Sequence, residues 1–140
     1  MSKPHLKVPF QFLNFAKEIV KCYRESGKCY VTKNQGLLRS CISRAYYAAF
    51  LIARYVTKLD YYTGEDVHRK VVETLEQLNL PDIADMLASL RRKRNMADYN
   101  LVQTVNIKHA TLAVNIAEEV IRKIKENFKT ILKTETNKPY

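Results

Sequence analysis

The chain has 140 residues, of which 46% are hydrophobic, and it contains only three glycines and four prolines. This composition favours a single domain built from long helices over a turn-rich β fold. Lysine and arginine number 24 against 14 acidic residues, so the net charge is +10. Such a charge indicates an anionic partner, namely nucleic acid, a membrane surface or an acidic protein. The alternative is a surface charge that only keeps the protein soluble.

The cysteines and the N-terminal segment bear on the cellular compartment. Cys22, Cys29 and Cys41 are odd in number and lack Cys-X-X-Cys spacing. We therefore expect neither a disulfide framework nor a zinc site. No apolar run approaches the roughly 18 residues of a membrane span, and no signal peptide is visible. These features predict a soluble cytoplasmic protein that has no metal or cofactor and does not contact a membrane.

Apolar residues recur at steps of three and four in five segments, which predicts five helices. The first covers about residues 9–26. The second, at about residues 35–59, is apolar on more than one side and is therefore expected at the centre. The third begins at Thr63, where Thr63 and Asp66 approximate a capping box. The fourth has Pro81 in its first turn, and the fifth covers about residues 105–132.

Together these segments predict an all-α, up-and-down bundle of about five helices. We expect one domain over residues 1–133, followed by a polar, disordered tail over residues 134–140.

The end of the fourth helix contains the most unusual segment, LRRKRNMADYNL, at residues 90–101. Ile83, Leu87 and Leu90 form one apolar stripe, and Arg94 continues it, within about 20° of Ile83 around the helix. A guanidinium on this core-facing side must be paired or line a polar cleft. Two interpretations stay open. Arg94 either forms an internal ion pair, for instance with Asp98, or faces an external phosphate or carboxylate.

Two segments resemble a known family. SCISRAYYAAFLIARYV, at residues 40–56, resembles the Ser-Arg-X-Tyr-Tyr-Ala-X-Phe helix of a prokaryotic subfamily of HEPN domains. LRRKRNMADYNL resembles the Arg-rich Ala-Asp-Tyr segment of that subfamily, and His68 falls where its members often have a histidine. The resemblance spans roughly residues 10–128 and implies a small helical bundle, usually a homodimer. Many members of the family are metal-independent endoribonucleases, frequently toxins encoded beside a nucleotidyltransferase.

The resemblance also implies a catalytic motif. The family signature is an arginine, then a polar residue, then a histidine. Arg94 and Asn95 match the first two positions, and Tyr99 stands where the histidine is expected. Metal-free RNA cleavage needs a base, an acid and positive charge near the phosphorane, and Arg94 can supply the charge. A phenol, with an ordinary pKa near 10, is a poorer base than an imidazole. Tyr99, Asp98 and His68 are the candidates for proton transfer.

Further side chains are candidates for RNA binding. They lie in the basic run of the fourth helix, where Arg92 and Lys93 fall on the solvent side, and on the second helix. These candidates are Arg91, Arg92, Lys93, Arg44, Tyr47 and Arg54. Tyr47 and Arg54 either line a cleft with Arg94 or pack at a dimer interface. The first hypothesis is a homodimer that binds RNA in a composite basic cleft and cleaves it weakly. The alternative is a non-catalytic interaction subunit of a toxin–antitoxin or defence system, paired with a nucleotidyltransferase-type antitoxin protein.

Overall fold

The computed structural model describes residues 6–25 and 32–129, and within them the chain forms five α-helices. They are α1 (Lys7–Arg24), α2 (Gln35–Val56), α3 (Val67–Gln77), α4 (Pro81–Tyr99) and α5 (Ile107–Asn127). The predicted all-α fold is confirmed. The expected end of the fifth helix at residue 132 and the tail at residues 134–140 lie outside the described residues. None of the five helices is long and apolar enough to cross a membrane.

Helix α2 is the centre of the bundle, as its apolar pattern predicted, because it packs against each of the other four helices. Small side chains make this possible. Ala45, Ala48, Ala49 and Ala53 are fully buried, so neighbouring helices can approach the backbone of α2 closely. One cluster of buried apolar side chains connects all five helices. The core therefore fixes where α4 lies against α2, which is the contact that builds the candidate site.

The predicted capping box at the start of the third helix is wrong. Helix α3 begins four residues after Thr63, and the Asp66 side chain at its N-cap makes no capping hydrogen bond. The carboxylate instead accepts a hydrogen bond from the Tyr62 hydroxyl and pairs with Arg69 at 2.8 Å. The Asp66 side chain therefore binds Tyr62 and Arg69 and does not cap the helix.

The two helices that flank the candidate site start as their sequences suggest. Pro81 occupies the first turn of α4, which confirms the prediction for that helix. Helix α5 starts at a capping box, in which Asn106 Oδ1 accepts from the His109 backbone N–H at 3.0 Å. His109 Nδ1 in turn accepts from the Asn106 N–H at 3.1 Å. His109 therefore has a structural role at the start of α5.

The cysteines depart from the expectation of a chain without disulfides. Cys22 is disulfide-bonded, whereas Cys41 is a buried thiol whose Sγ lies 3.3 Å from the Ala16 carbonyl oxygen. Burial raises the pKa of the Cys41 thiol to about 12. The expectation is therefore wrong for Cys22, because spacing along the chain does not report which sulfur atoms meet in space.

Candidate functional site

Arg94 is the centre of a polar cluster at the contact between α4 and α2. Its Nη2 donates a hydrogen bond to the Tyr47 hydroxyl at 2.8 Å, and its Nη1 donates to Asn95 Oδ1 at 2.8 Å. The Arg94 side chain is only 18% exposed. Its position on the core-facing stripe of the helix therefore places the guanidinium against α2, where the Tyr47 hydroxyl accepts its hydrogen bond.

Arg94 also forms the ion pair with Asp98 that was one of the two sequence-based interpretations. Arg94 Nε lies 3.0 Å from Asp98 Oδ2, but its N–H is not aligned with that oxygen, so the contact is electrostatic rather than a good hydrogen bond. Ser43 Oγ donates to the same oxygen at 3.4 Å. A guanidinium has five N–H bonds. One is donated to Tyr47, one is donated to Asn95, and the one on Nε lies near Asp98 without good alignment; the other two have no acceptor in the described part of the chain.

Three tyrosine rings surround the guanidinium of Arg94. Its central carbon lies 5.8 Å from the ring centre of Tyr46, 5.3 Å from that of Tyr47 and 5.6 Å from that of Tyr99. At such distances the face of an aromatic ring attracts a cation. Tyr46 is buried, whereas Tyr99, the last residue of α4, is 70% exposed. The cluster therefore has an inner wall formed by α2 and an outer edge formed by Tyr99.

His68 lies behind this cluster, in the core. Its Nδ1 and the Tyr46 hydroxyl share a hydrogen bond of 2.9 Å, and its ring stacks against Phe50. Burial, and to a smaller extent the positive charges of Arg91 and Arg94, lower the pKa of His68 to about 4. His68 is therefore neutral near pH 7. It is connected to Arg94 through Tyr46 and makes no hydrogen bond to it.

The other basic residues of α4 lie mostly in solvent. Arg91 and Arg92 are exposed, and Lys93 is half-buried. Arg91 lies close enough to Tyr46 and His68 for its charge to influence the pKa of both side chains. The basic run therefore places positive charge on the exposed face of α4, and Arg91 also lies near the inner side of the cluster.

Two of the proposed RNA-binding residues on α2 have partners elsewhere in the fold. Arg44 is exposed, with its guanidinium carbon 4.8 Å from the ring centre of Phe12, so it faces α1. Arg54 Nε donates to the Leu59 carbonyl oxygen at 2.9 Å, and its Nη2 donates to the Tyr62 carbonyl oxygen. Arg54 therefore stabilises the loop between α2 and α3. Of the α2 candidates, the structure brings Tyr47 to Arg94 and directs Arg44 and Arg54 to other partners.

Arg39 of α2 makes contacts near the site that were not predicted from the sequence. Its Nη1 donates to the carbonyl oxygens of Ala97, at 3.1 Å, and Asn100, at 2.6 Å. Its Nη2 donates to the carbonyl oxygen of Gln103. It therefore fixes the end of α4, which carries Asp98 and Tyr99. The sequence holds no signal for this role, because a half-buried arginine in a long helix does not reveal its acceptors.

Comparison with known proteins gives one family. The family model described as HEPN domain matches residues 28–127 and so covers α2 to α5. No curated protein matches the chain, and no solved structure does. The matched region includes every side chain of the Arg94 cluster.

Proposed function

Because this chain belongs to the HEPN domain family, we propose that it binds RNA around Arg94 and cleaves it without a metal ion. Family membership supports an RNA-related or nuclease-type function. The proposal of metal-independent RNA cleavage rests on the environment of Arg94. Arg94 contacts Tyr47, Asn95 and Asp98, leaves two N–H bonds without an acceptor among the described residues, and lies beside the exposed phenol of Tyr99. A phosphate suits such an oriented guanidinium fork.

The cleavage that we propose uses the RNA's own 2′-hydroxyl. The 2′-oxygen attacks the phosphorus, the bond to the 5′-oxygen breaks, and the products carry a 2′,3′-cyclic phosphate and a 5′-hydroxyl. Asp98 takes the proton of the 2′-hydroxyl, and Tyr99 gives a proton to the leaving 5′-oxygen. Exchange with water then restores both groups. Arg94 stabilises the negative charge that develops on the phosphorane.

His68 has no proton-transfer role in this proposal. Its ring is 8% exposed, and its Nδ1 is already bonded to Tyr46. A general acid or base must come within hydrogen-bond reach of the proton that it moves. His68 instead supports the tyrosine that stacks on Arg94.

Charge supports the choice of RNA as the ligand. The four basic residues at 91–94 and the net charge of +10 would attract phosphates and release their counterions. We also propose a homodimer in which two copies of the site form one composite cleft, as the resemblance to other HEPN proteins suggests. A nucleotidyltransferase-type protein is the proposed antitoxin partner.

A second candidate function is binding without cleavage, as an interaction subunit of a toxin–antitoxin or defence system. A specific observation favours it. Tyr99 occupies the position of the expected histidine, and the imidazole of His68, which contacts the cluster through Tyr46, is buried and bonded. This candidate keeps the Arg94 site and removes only the chemical step.

An RNA cleavage assay in EDTA tests the proposal. Wild type, Arg94→Ala and Arg92→Ala are purified in parallel and incubated with end-labelled RNAs. Arg92→Ala is the matched control, because it removes the same charge from an exposed position of the same helix. We expect fragments with cyclic phosphate ends, slowed about 10²–10³-fold by Arg94→Ala and little affected by Arg92→Ala. Binding without fragments would favour the second candidate. Equal cleavage by both variants would contradict a site at Arg94.

A further inference from the structure

The segment that follows α4 presents large apolar side chains to solvent. Tyr99 is 70% exposed, Leu101 is 87% exposed and Val102 is 96% exposed. We refer to Tyr99, Leu101 and Val102 as the apolar tip. Single exposed hydrophobic residues need no explanation, but a contiguous group of them marks an interaction surface.

Arg39 holds the backbone of this segment. Its guanidinium donates to the carbonyl oxygens of Ala97 and Gln103, on either side of the apolar tip, and of Asn100, between Tyr99 and Leu101. Charge-assisted hydrogen bonds of this kind are stronger than those between neutral groups. These hydrogen bonds therefore hold in place the backbone that carries the apolar tip.

Two further side chains also hold this backbone. Asn100 Oδ1 accepts from the backbone N–H groups of Val102 and Gln103, each at 3.0 Å. Gln35 Oε1 accepts from the N–H of Val105 at 2.8 Å, and its Nε2 donates to the Val105 carbonyl oxygen. Polar side chains of α2 and of the segment itself thus fix a conformation in which Leu101 and Val102 are almost fully exposed. A ligand that contacts the apolar tip would meet a preformed surface, which lowers the entropy cost of binding.

The apolar tip is continuous with the Arg94 cluster. The ring centre of Tyr99 lies 5.6 Å from the guanidinium carbon of Arg94, so the same ring belongs to both. The exposed residues Arg91 and Arg92 precede it on α4. A surface that joins a stacking ring, aliphatic side chains and several positive charges is complementary to a chain of bases and phosphates.

We infer that the apolar tip is a binding site for unpaired nucleotides of RNA. One base stacks on the exposed ring of Tyr99, a neighbouring base contacts Leu101 and Val102, and Arg94 binds the phosphate between them. This inference rests on the proposed RNA function and adds the substrate class. A duplex offers the apolar tip only sugars and phosphates, because its bases are already stacked on one another. The site therefore selects loops and single strands over helices.

Binding to 2′-O-methyl RNA tests this inference without interference from cleavage, since that RNA has no free 2′-hydroxyl. A hairpin with 2-aminopurine in its loop is compared with a duplex that carries the same label. We expect wild type to prefer the hairpin and to change the fluorescence of its label. Tyr99→Phe keeps the ring and should stay within about twofold of wild type. Tyr99→Ala should weaken hairpin binding about 5- to 150-fold and leave duplex binding unchanged.

Two further variants distinguish the contribution of the Arg39 hydrogen bonds from that of the apolar side chains. Arg39→Gln keeps all three residues of the apolar tip but removes the charge-assisted hydrogen bonds of Arg39, so we expect it to lower the preference for the hairpin. If Arg39→Gln does not fold, the surface double variant Leu101→Ser with Val102→Ser replaces it, with the same expectation.

The outcomes separate the inference from the function on which it rests. A wild type that binds neither RNA would overturn both. Equal affinity for hairpin and duplex, or a Tyr99→Ala variant that binds the hairpin normally, would overturn the inference alone. A double variant that loses self-association and keeps its RNA preference would assign Leu101 and Val102 to a protein interface, which also overturns it.

Discussion

Replacement of His68 should remove a specific part of the protein's pH-dependent stability. Burial, reinforced by Arg91 and Arg94, holds the pKa of His68 at about 4 in the folded protein, against an ordinary value of 6.5. Between these two pH values the unfolded chain binds a proton that the folded protein does not bind. The free energy of unfolding must therefore fall as the pH falls from 6.5 towards 4. Since one pKa unit corresponds to about 1.4 kcal/mol, the total loss is at most about 3 kcal/mol.

Urea denaturation at several pH values between 7 and 4.5 would measure this loss. His68→Gln cannot be protonated, and its amide can still bond to the Tyr46 hydroxyl, so its free energy of unfolding should fall less than that of wild type. His109→Gln is the matched control, because it replaces an exposed histidine and leaves the His68 environment intact. If wild type and His68→Gln lost the same free energy over this range, His68 would not be held neutral by burial, and proton transfer by His68 would need to be reconsidered.

Three further predictions concern the same region. Tyr46→Phe removes the hydroxyl bonded to His68 and leaves a buried nitrogen without its partner, so it should cost about 1–3 kcal/mol in urea denaturation; a cost near zero would contradict the bond. Tyr99→His restores the family's spacing after Arg94 and should raise EDTA-resistant RNA cleavage, and a folded variant that binds RNA without any gain would point to a site adapted for binding. Light scattering should show a homodimer at micromolar concentration, whereas a monomer would count against the composite cleft.

The sequence predicts most of the fold because each helix repeats its apolar residues at helical spacing. The central place of α2 was predictable, since a helix that is apolar on more than one side can bury those sides only inside a bundle. Helix ends were harder to predict. The third helix begins at Val67, after the predicted Thr63, and the Asp66 side chain bonds to Tyr62 and Arg69 instead of capping it. Such competition between side-chain partners depends on three-dimensional contacts that periodicity does not encode.

The candidate site was predictable only in part. Helical geometry indicated that Arg94 faces inward, and the spacing to Asp98 suggested the ion pair that the structure contains. The contact of Tyr47 with Arg94 required the packing of α4 on α2. The roles of Tyr46 and Arg39 could not be derived, because both act across contacts between distant parts of the chain. The Tyr-Tyr pair of the family motif signalled that the segment matters, but not which ring is buried.

RNA binding at increasing salt concentration tests the central claim, that Arg94 is the centre of the RNA site. Fluorescence anisotropy with a labelled single-stranded RNA would compare wild type, Arg94→Ala and Arg92→Ala. Each variant loses one positive charge, so both should show a salt dependence that is shallower by about one ion. We expect Arg94→Ala to weaken binding at every salt concentration by clearly more than Arg92→Ala, because Arg94 is held in an oriented cluster. Equal losses for the two variants would contradict the claim and would reduce Arg94 to one charge in a diffuse basic surface.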